Sequence, residues 1–327
     1  MIEAEDLRAV AEFAALAPSV HNTQPWRFVE TRHSLEIHLD AARGLDFLDP
    51  TRRQMFISCG AATEFARLGV RSLGKACTVR LMPDASEADL VARLVVGFPE
   101  PPTPAEQRMI DAVPRRYTDR GPYTDESVSG LQLSLIRDAA GERHCWLRVV
   151  EQSDDRLAVI RLLETAEAAE ASDGGYRQEI AEWQRRERAH DGIPVDRGAD
   201  WASQHRVSDV PLRDFNGCGA HPRPGALDPP QVERDTIVVL GTDRDDSLSW
   251  LRAGRALASV LLVLTDADLV SQPLGPALDL PFARAQLRRE LGLLGYPQMM
   301  LRIGHGRRAP VTGRREVEEV FTAATAP

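Results

Sequence analysis

One ordered pattern occurs twice in the 327-residue chain and limits what the chain can fold into. Each copy has a strand-like segment, an acidic turn, a helical segment with glycine and alanine near its start, and a strand that contains an arginine. The segments are 35–39, 53–74 and 91–97 in the first copy, and 236–240, 250–268 and 299–304 in the second. Glycine–alanine helices are common in alanine-rich chains, so one helix alone says little. The shared order favours duplication, with the small residues placed where two helices cross closely.

A proline-rich junction, 98–104, separates the two copies. Its four prolines predict an extended connection, followed by a helix with Thr103 as N-cap and Pro104 in the first turn. We therefore expect a first half at 1–100 and a second half at 101–327. The second half is longer because it contains an insertion at about 176–230. This insertion begins with a charged helical pattern, 178–189, and continues as a long glycine- and proline-rich stretch, which is typical of a lid or binding loop.

Composition excludes several classes of protein. The net charge of -9 gives no basic face for nucleic acid. The four cysteines are scattered, without the spacing of a zinc site, and suit a reducing compartment. The first residues are acidic, unlike a signal peptide, and the longest apolar run, 256–264, is too short to cross a bilayer. These features predict a cytoplasmic protein with no metal, nucleic-acid or membrane partner.

The first motif is the loop 17–28, which reads APSVHNTQPWRF between a helical pattern and a strand. It places Ser19, Asn22 and Gln24 beside prolines, and these side chains can donate and accept hydrogen bonds at the edge of a planar heterocycle. A shorter polar string would be interpreted as a turn that caps the helix. The full string favours a ligand-binding loop.

The second motif is PRRYTDRGPY at 114–123. Three arginines and a threonine within six residues can form an anion cradle, because the planar guanidinium matches phosphate oxygens. A solvated basic turn is the alternative for such a cluster taken alone.

Both motifs resemble those of the FMN-dependent nitroreductase family, whose members are homodimers with FMN at the subunit interface. The first motif is similar to the loop that lines the flavin ring and ribityl chain. The second is similar to the R-x-S-x-R segment that holds the FMN phosphate, with threonine in place of serine. The resemblance implies ring or ribityl contacts for Pro18, Ser19, Val20 and Asn22, with Gln24 as a weaker candidate, and a phosphate site at Arg116, Tyr117, Thr118 and Arg120.

Two further segments extend the resemblance. The sequence RREVEEV at 314–320 is similar to the closing segment of the family, whose arginine reaches the phosphate. Arg314 is the first candidate for that role and Arg315 the alternative. The sequence SQPLG at 271–275 is similar to the segment whose backbone N–H points at flavin N5. This similarity implicates Leu274 and Gly275, since Pro276 has no N–H.

The distribution of these motifs predicts one FMN site per chain. The first half has the ring-binding loop, and the second half has the phosphate motif but reads AAGERHCW at 139–146, where its own loop should be. The resemblance therefore implies an α+β, nitroreductase-like three-layer fold whose two tandem, degenerate halves form an intramolecular pseudo-dimer. Within the family the chain is most similar to the fused Acg-type proteins of actinobacteria, a dormancy-associated subgroup with a lid over the flavin.

Two functions are compatible with this resemblance. The first is an NAD(P)H-dependent nitroreductase-type oxidoreductase, acting on a small molecule through the flavin, with no catalytic side chain assigned. The second is a flavin-sequestering or stress and dormancy protein, whose lid keeps nicotinamide away and which has little or no turnover. The internal interface makes a monomer plausible in both cases.

Overall fold

The computed structural model describes residues 4–32, 34–120, 123–185, 189–194, 206–207, 210–211, 231–232, 235–306 and 312–324. Its helices are α1 (Ala4–Ala15), α2 (Arg53–Ser72), α3 (Pro104–Ala112), α4 (Gly130–Gly141), α5 (Ser153–Ser172), α6 (Gly174–Trp183), α7 (Ser247–Asp266), α8 (Pro276–Asp279), α9 (Pro281–Glu290) and α10 (Val317–Val320). Its strands are β1 (Trp26–Thr31), β2 (Ser34–Leu39), β3 (Lys75–Leu81), β4 (Leu90–Pro99), β5 (Trp146–Val149), β6 (Gln184–Arg185), β7 (Ile193–Pro194), β8 (Arg206–Val207), β9 (Gln231–Val232), β10 (Thr236–Thr242), β11 (Val270–Pro273), β12 (Tyr296–Gly304) and β13 (Phe321–Thr322).

Two main sheets have the same internal strand order. The first sheet is β13-β1-β2-β4-β3 and the second is β11-β12-β10-β5. In the first half the neighbouring strands are β1, β2, β4 and β3, and in the second half they are β5, β10, β12 and β11. In both halves the fourth strand along the chain therefore lies between the second and the third. All pairings within these two sets of four strands are antiparallel. The shared order agrees with the order of the elements repeated in the sequence. Strand β13 joins β1 in parallel, so the C-terminal segment completes the sheet of the first half.

The helices α2 and α7 cross with their backbones in contact. A Cβ atom on Gly60 would lie 2.3 Å from the carbonyl oxygen of Leu251, and one on Gly254 would lie 2.0 Å from that of Ile57. These separations are shorter than any real Cβ contact, so both positions require glycine. The predicted close crossing is confirmed, and it forms the central seam between the two halves.

A buried carboxylate reinforces this seam. Glu64 on α2 is fully buried and forms ion pairs with Arg67 at 2.7 Å, Arg143 at 2.7 Å and Arg255 at 2.7 Å. Burial alone would raise the pKa of Glu64, but the three guanidinium charges outweigh it and hold the pKa well below its usual range. Because Arg143 and Arg255 belong to the second half, the cluster ties α2 to that half by charge as well as by packing.

The junction between the halves folds as the sequence predicts. Strand β4 ends at Pro99, and α3 begins at Pro104 with Thr103 as its N-cap. The Thr103 side chain accepts from the Glu106 N–H, and the Glu106 carboxylate accepts from the Thr103 N–H. This reciprocal capping box fixes where the helix starts.

Two other helix predictions have different outcomes. The charged helix expected at 178–189 is wrong in its bounds, because α6 begins at Gly174 and ends at Trp183. From Gln184 the chain is extended and not helical, because β6 pairs with β7. The Arg185 guanidinium binds Asp191 at 3.0 Å in this extended segment. The helical segment predicted at 250–268 is confirmed as α7, which contains the apolar run 256–264. It is long and apolar enough to cross a membrane, but 67% of its most apolar 18-residue window is buried against the rest of the chain.

We predict that Gly254→Ala destabilises the protein strongly, because the added methyl group collides with the backbone of α2 rather than with a side chain that can move. The free energy of unfolding, measured by urea denaturation, should fall by about 3 kcal/mol or more. Gly130→Ala is the matched control, since a Cβ at that helical position meets nothing within 4 Å. Equal stability of the two variants would contradict the close helix crossing.

Candidate functional site

A crevice opens between the two halves beside the helix crossing. It contains about 1290 Å³ of empty space when the part open to solvent is included. The first half contributes the loop after α1 and the start of α2, namely Pro18, Ser19, Val20, His21, Asn22, Gln54, Ile57 and Ser58. The second half contributes Arg116, Thr118, Arg120, Leu257, Leu261, Gln272, Pro273, Leu274, Gly275, Pro276, Asp279, Met299, Thr312 and Arg314, and the insertion contributes Gly192, Ile193, Pro194 and Pro211.

The tertiary structure brings together most of the residues that the sequence predicts for the site. The predicted site residues come from the 18–24 loop, the arginine motif, the 271–275 segment and the C-terminal segment. All of these predicted residues line one crevice except Gln24, Tyr117 and Arg315. Segments separated by more than 200 positions in the sequence therefore meet at one place.

The 18–24 loop is held in a fixed and strained conformation. Its residues His21, Asn22 and Gln24 have φ values of 47°, 55° and 50°, which lie in the left-handed region. The Ser19 hydroxyl accepts from the Gln24 N–H at 2.9 Å, and the Val20 N–H donates to the Ser58 hydroxyl on α2 at 3.2 Å. Strain of this kind persists only where the surroundings enforce it, and such residues cluster at ligand sites.

Gln24 and Arg315 have structural partners outside the crevice lining. Gln24 is fully buried, its Nε2 donates to the carbonyl of His190 at 2.7 Å, and its Oε1 accepts from the Arg315 N–H at 2.9 Å. The Arg315 guanidinium donates to the carbonyl of Glu319 at 2.9 Å. Both residues therefore join the 18–24 loop to neighbouring segments. Of the two C-terminal candidates for an anion contact, Arg314 is the one that lines the crevice.

Arg116 and Arg314 give the crevice its most unusual electrostatics. In the described part of the chain, Nε and Nη1 of Arg116 and Nε of Arg314 are buried without a hydrogen-bond partner, and no carboxylate pairs with either guanidinium. Burial lowers the pKa of Arg116 to about 10. Burial and the nearby charge of Arg116 lower the pKa of Arg314 to about 9. Two buried cations that converge without a carboxylate are costly unless an anion binds between them.

The remaining lining combines an apolar wall with a few polar groups. Ile57, Leu257, Leu261 and Met299 form the wall next to the helix crossing. Gln54 and Asp279 come from opposite halves and join across the crevice, with Gln54 Nε2 donating to Asp279 Oδ1 at 2.8 Å. Sequence reasoning missed this pair, because neither residue stands in a motif and their contact exists only once the halves have packed.

Four described residues of the insertion, Gly192, Ile193, Pro194 and Pro211, line the crevice. The Gly192 N–H donates to the carbonyl of Asn22 at 3.3 Å, and the Asp191 carboxylate binds Arg43 of the first half. Earlier in the insertion, the Glu179 carboxylate accepts from the N–H groups of Phe47 and Leu48. These contacts fasten the described segments 174–185 and 189–194 to the first half. Most of the predicted lid, including 195–205 and 212–230, lies outside the described residues.

The described residues offer no metal centre and no activated thiol. They contain no group of three or more histidine, cysteine, aspartate or glutamate side chains that could hold a metal ion. Burial raises the pKa of Cys77 to about 12 and that of Cys145 to about 12, and it raises the pKa of Cys59 as well, so the described thiols stay protonated at neutral pH. Cys218 lies outside the described residues.

Comparison with known proteins identifies the family. No protein-family model matches the chain. A Mycobacterium tuberculosis protein described as "Putative NAD(P)H nitroreductase" is 33% identical over 323 residues, covering 97% of this chain and 91% of the relative. This chain belongs to the nitroreductase family. A second relative from the same organism, described as "Putative NAD(P)H nitroreductase acg", is 26% identical over 328 residues, covering 98% of this nitroreductase-family chain and 96% of the relative.

Solved structures of nitroreductases resemble parts of this nitroreductase-family chain. A nitroreductase with bound FMN from Desulfitobacterium hafniense is 14% identical, with a TM-score of 0.42, and the alignment covers 65% of this chain and 96% of that protein. The FMN-dependent nitroreductase NfnB from Mycobacterium smegmatis, in complex with NADPH, is 17% identical, with a TM-score of 0.40, and the alignment covers 67% of this chain and 99% of that protein.

We predict that Arg116→Met stabilises the ligand-free protein. The change removes a buried, unpaired charge at similar side-chain length, and replacing buried charges with apolar residues gains about 1–4 kcal/mol. Urea unfolding should be measured with and without inorganic phosphate, which we expect to stabilise the wild type and to leave Arg116→Met unchanged. Arg108→Met is the control, because the Arg108 side chain is 60% exposed. A destabilised Arg116→Met that still responds to phosphate would contradict an unsatisfied anion site.

Proposed function

We propose that this chain binds one FMN in the crevice and uses it as an NAD(P)H-dependent oxidoreductase acting on a small molecule. The observation that carries the proposal is the pair of buried cations, Arg116 and Arg314, that converge in the crevice without a carboxylate among the described residues. A phosphate group is the ligand that satisfies two guanidinium groups in this arrangement.

The crevice fits the rest of FMN by the chemistry of its lining. Thr118 and Arg120 stand in the same segment as Arg116 and would complete the phosphate shell. The apolar wall at the helix crossing suits the flat ring. The 18–24 loop would hold the ring and ribityl chain, and the segment that ends at Gly275 would approach it from the second half. The relatives' printed descriptions as NAD(P)H nitroreductases agree with this assignment.

The protein's own part in the reaction is binding, orientation and exclusion of water. When bound, FMN supplies the hydride and electron chemistry. We assign no catalytic side chain. Gly192, Ile193 and Pro194 line the crevice and would restrict the access of water to the ring.

We further propose that the two halves, 1–100 and 101–327, are a degenerate duplication that forms a pseudo-dimer within one chain. The common strand order of the two sheets supports this view. The ring-binding loop belongs to the first half and the phosphate arginines to the second, so a single asymmetric site results and one chain suffices to build it. A monomer in the cytoplasm, without nucleic-acid or membrane partners, is the corresponding state.

The phosphate assignment predicts a difference between FMN and riboflavin, which lacks the phosphate. Arg116→Ala should weaken FMN binding by roughly 10–100-fold, the loss expected for hydrogen bonds to a charged group, and should leave riboflavin binding nearly unchanged. Flavin fluorescence titration measures both dissociation constants. Arg115→Ala is the matched control, because Arg115 is the sequence neighbour of Arg116 but does not line the crevice. Equal losses for both flavins would refute the assignment.

The oxidoreductase assignment predicts that anaerobic NADH or NADPH bleaches the visible absorbance of the bound flavin. Subsequent addition of a quinone or a nitroaromatic compound should restore the colour. Bound flavin that stays oxidised with both nucleotides would favour the flavin-sequestering alternative, in which the insertion keeps nicotinamide away from the ring.

A further inference from the structure

The starting point is the amide of Gln54, which lies in the first turn of α2. Gln54 lines the crevice and is only 5% exposed. Its Nε2 donates to Asp279 Oδ1 at 2.8 Å, across the boundary between the two halves. A buried amide has one strong acceptor and two donors, so which end faces the ligand decides what the ligand must offer.

The carboxylate of Asp279 decides the orientation of this amide. An ionised carboxylate can only accept hydrogen bonds, so it must face the NH₂ end of Gln54. The Arg53 guanidinium forms an ion pair with the same carboxylate, 3.6 Å from Asp279 Oδ1. The oxygen of the amide, Gln54 Oε1, is thereby turned away from Asp279, and it accepts no hydrogen bond from any residue that the structure describes.

The surroundings hold the pair in place. The Arg53 guanidinium donates to the carbonyl of Leu278 at 2.9 Å and to that of Gln298 at 2.7 Å, which fixes α8 and its last residue, Asp279, against α2. Helix α8 directly follows Gly275, another lining residue. The backbone carbonyl of Gln54 in turn accepts from the Ser58 hydroxyl, which also binds the 18–24 loop. The acceptor is therefore preorganised and needs little rearrangement when a ligand binds.

We propose that Gln54 Oε1, oriented by Asp279, is a fixed hydrogen-bond acceptor that recognises a ring N–H of the heterocycle bound in the crevice. The proposal rests on the proposed FMN binding and deepens it. The oxidised isoalloxazine ring has a single N–H, at N3 of its pyrimidine portion, and this is the donor that Gln54 would recognise. Gln54 is a specificity-determining residue, and Asp279 is a positioning residue that acts through it.

The experiment compares FMN with 3-methyl-FMN, in which a methyl group replaces the N3 hydrogen. Dissociation constants are measured by flavin fluorescence titration. The wild type should bind FMN at least roughly tenfold more tightly than 3-methyl-FMN, because the methylated ring leaves the buried acceptor Gln54 Oε1 unsatisfied. Gln54→Leu, which has no acceptor, should reduce this preference to within about threefold, mainly by weakening FMN binding. Gln107→Leu is the matched control, since Gln107 forms an equivalent amide–carboxylate pair with Asp111 at 2.9 Å on the surface.

A second variant tests the role of Asp279. In Asp279→Asn the new side chain can donate as well as accept, so the Gln54 amide is free to turn over. The preference for FMN should fall below that of the wild type although Gln54 is intact. An unchanged preference in folded Asp279→Asn would overturn its positioning role. If this variant does not fold, Gln54→Leu decides the proposal alone.

The outcomes separate this inference from the proposed function. A wild-type protein that binds neither flavin overturns both. A wild type that binds FMN and 3-methyl-FMN equally well overturns only the role of Gln54, and so does a Gln54→Leu variant that still prefers FMN tenfold, because steric exclusion of the methyl group would then explain the preference.

Discussion

The close contact between α2 and α7 determines most of the structure. Gly60 and Gly254 carry no side chain where the helices cross, so backbone meets backbone and the two halves share one core. The same helices provide Ile57 and Leu257 for the crevice wall. A wider crossing would separate the loop of the first half from the arginines of the second. The ligand site therefore depends on the absence of a side chain at these two glycines. The ion pairs of the buried Glu64 carboxylate with its three arginines stabilise the same helix contact.

The crevice maintains a charge distribution that is unfavourable without a ligand. Arg116 is only 4% exposed and has no described counter-charge, and Arg314 adds a second cation beside it. An apolar residue would pack there at lower cost. Arg53, by contrast, is paired with Asp279, so the two arginines without a described carboxylate partner mark a place where stability is given up for binding. The strained 18–24 loop is a second such place.

Much of the fold could be predicted, because local chemistry controls it. The capping box at Thr103 and the alternating or helical apolar patterns are local signals, and the elements form where these signals indicate. The bounds of α6 could not be predicted, because a side-chain contact between Arg185 and Asp191 replaces the last turns that the charged pattern suggested. The partners of Gln24 were also hidden, since they come from segments far away in the sequence.

The sequence by itself determined the kinds of ligand chemistry present: a polar loop with prolines, an arginine motif, and small residues on two helices. These follow from residue type and spacing, which folding does not alter. Only the tertiary structure decided which of these residues face one another. It selected Arg314 over Arg315 for the crevice, and it joined Gln54 to Asp279 across the boundary between the halves. The physical reason is that orientation and burial depend on contacts between distant segments, and these contacts are fixed only when α2 and α7 pack together.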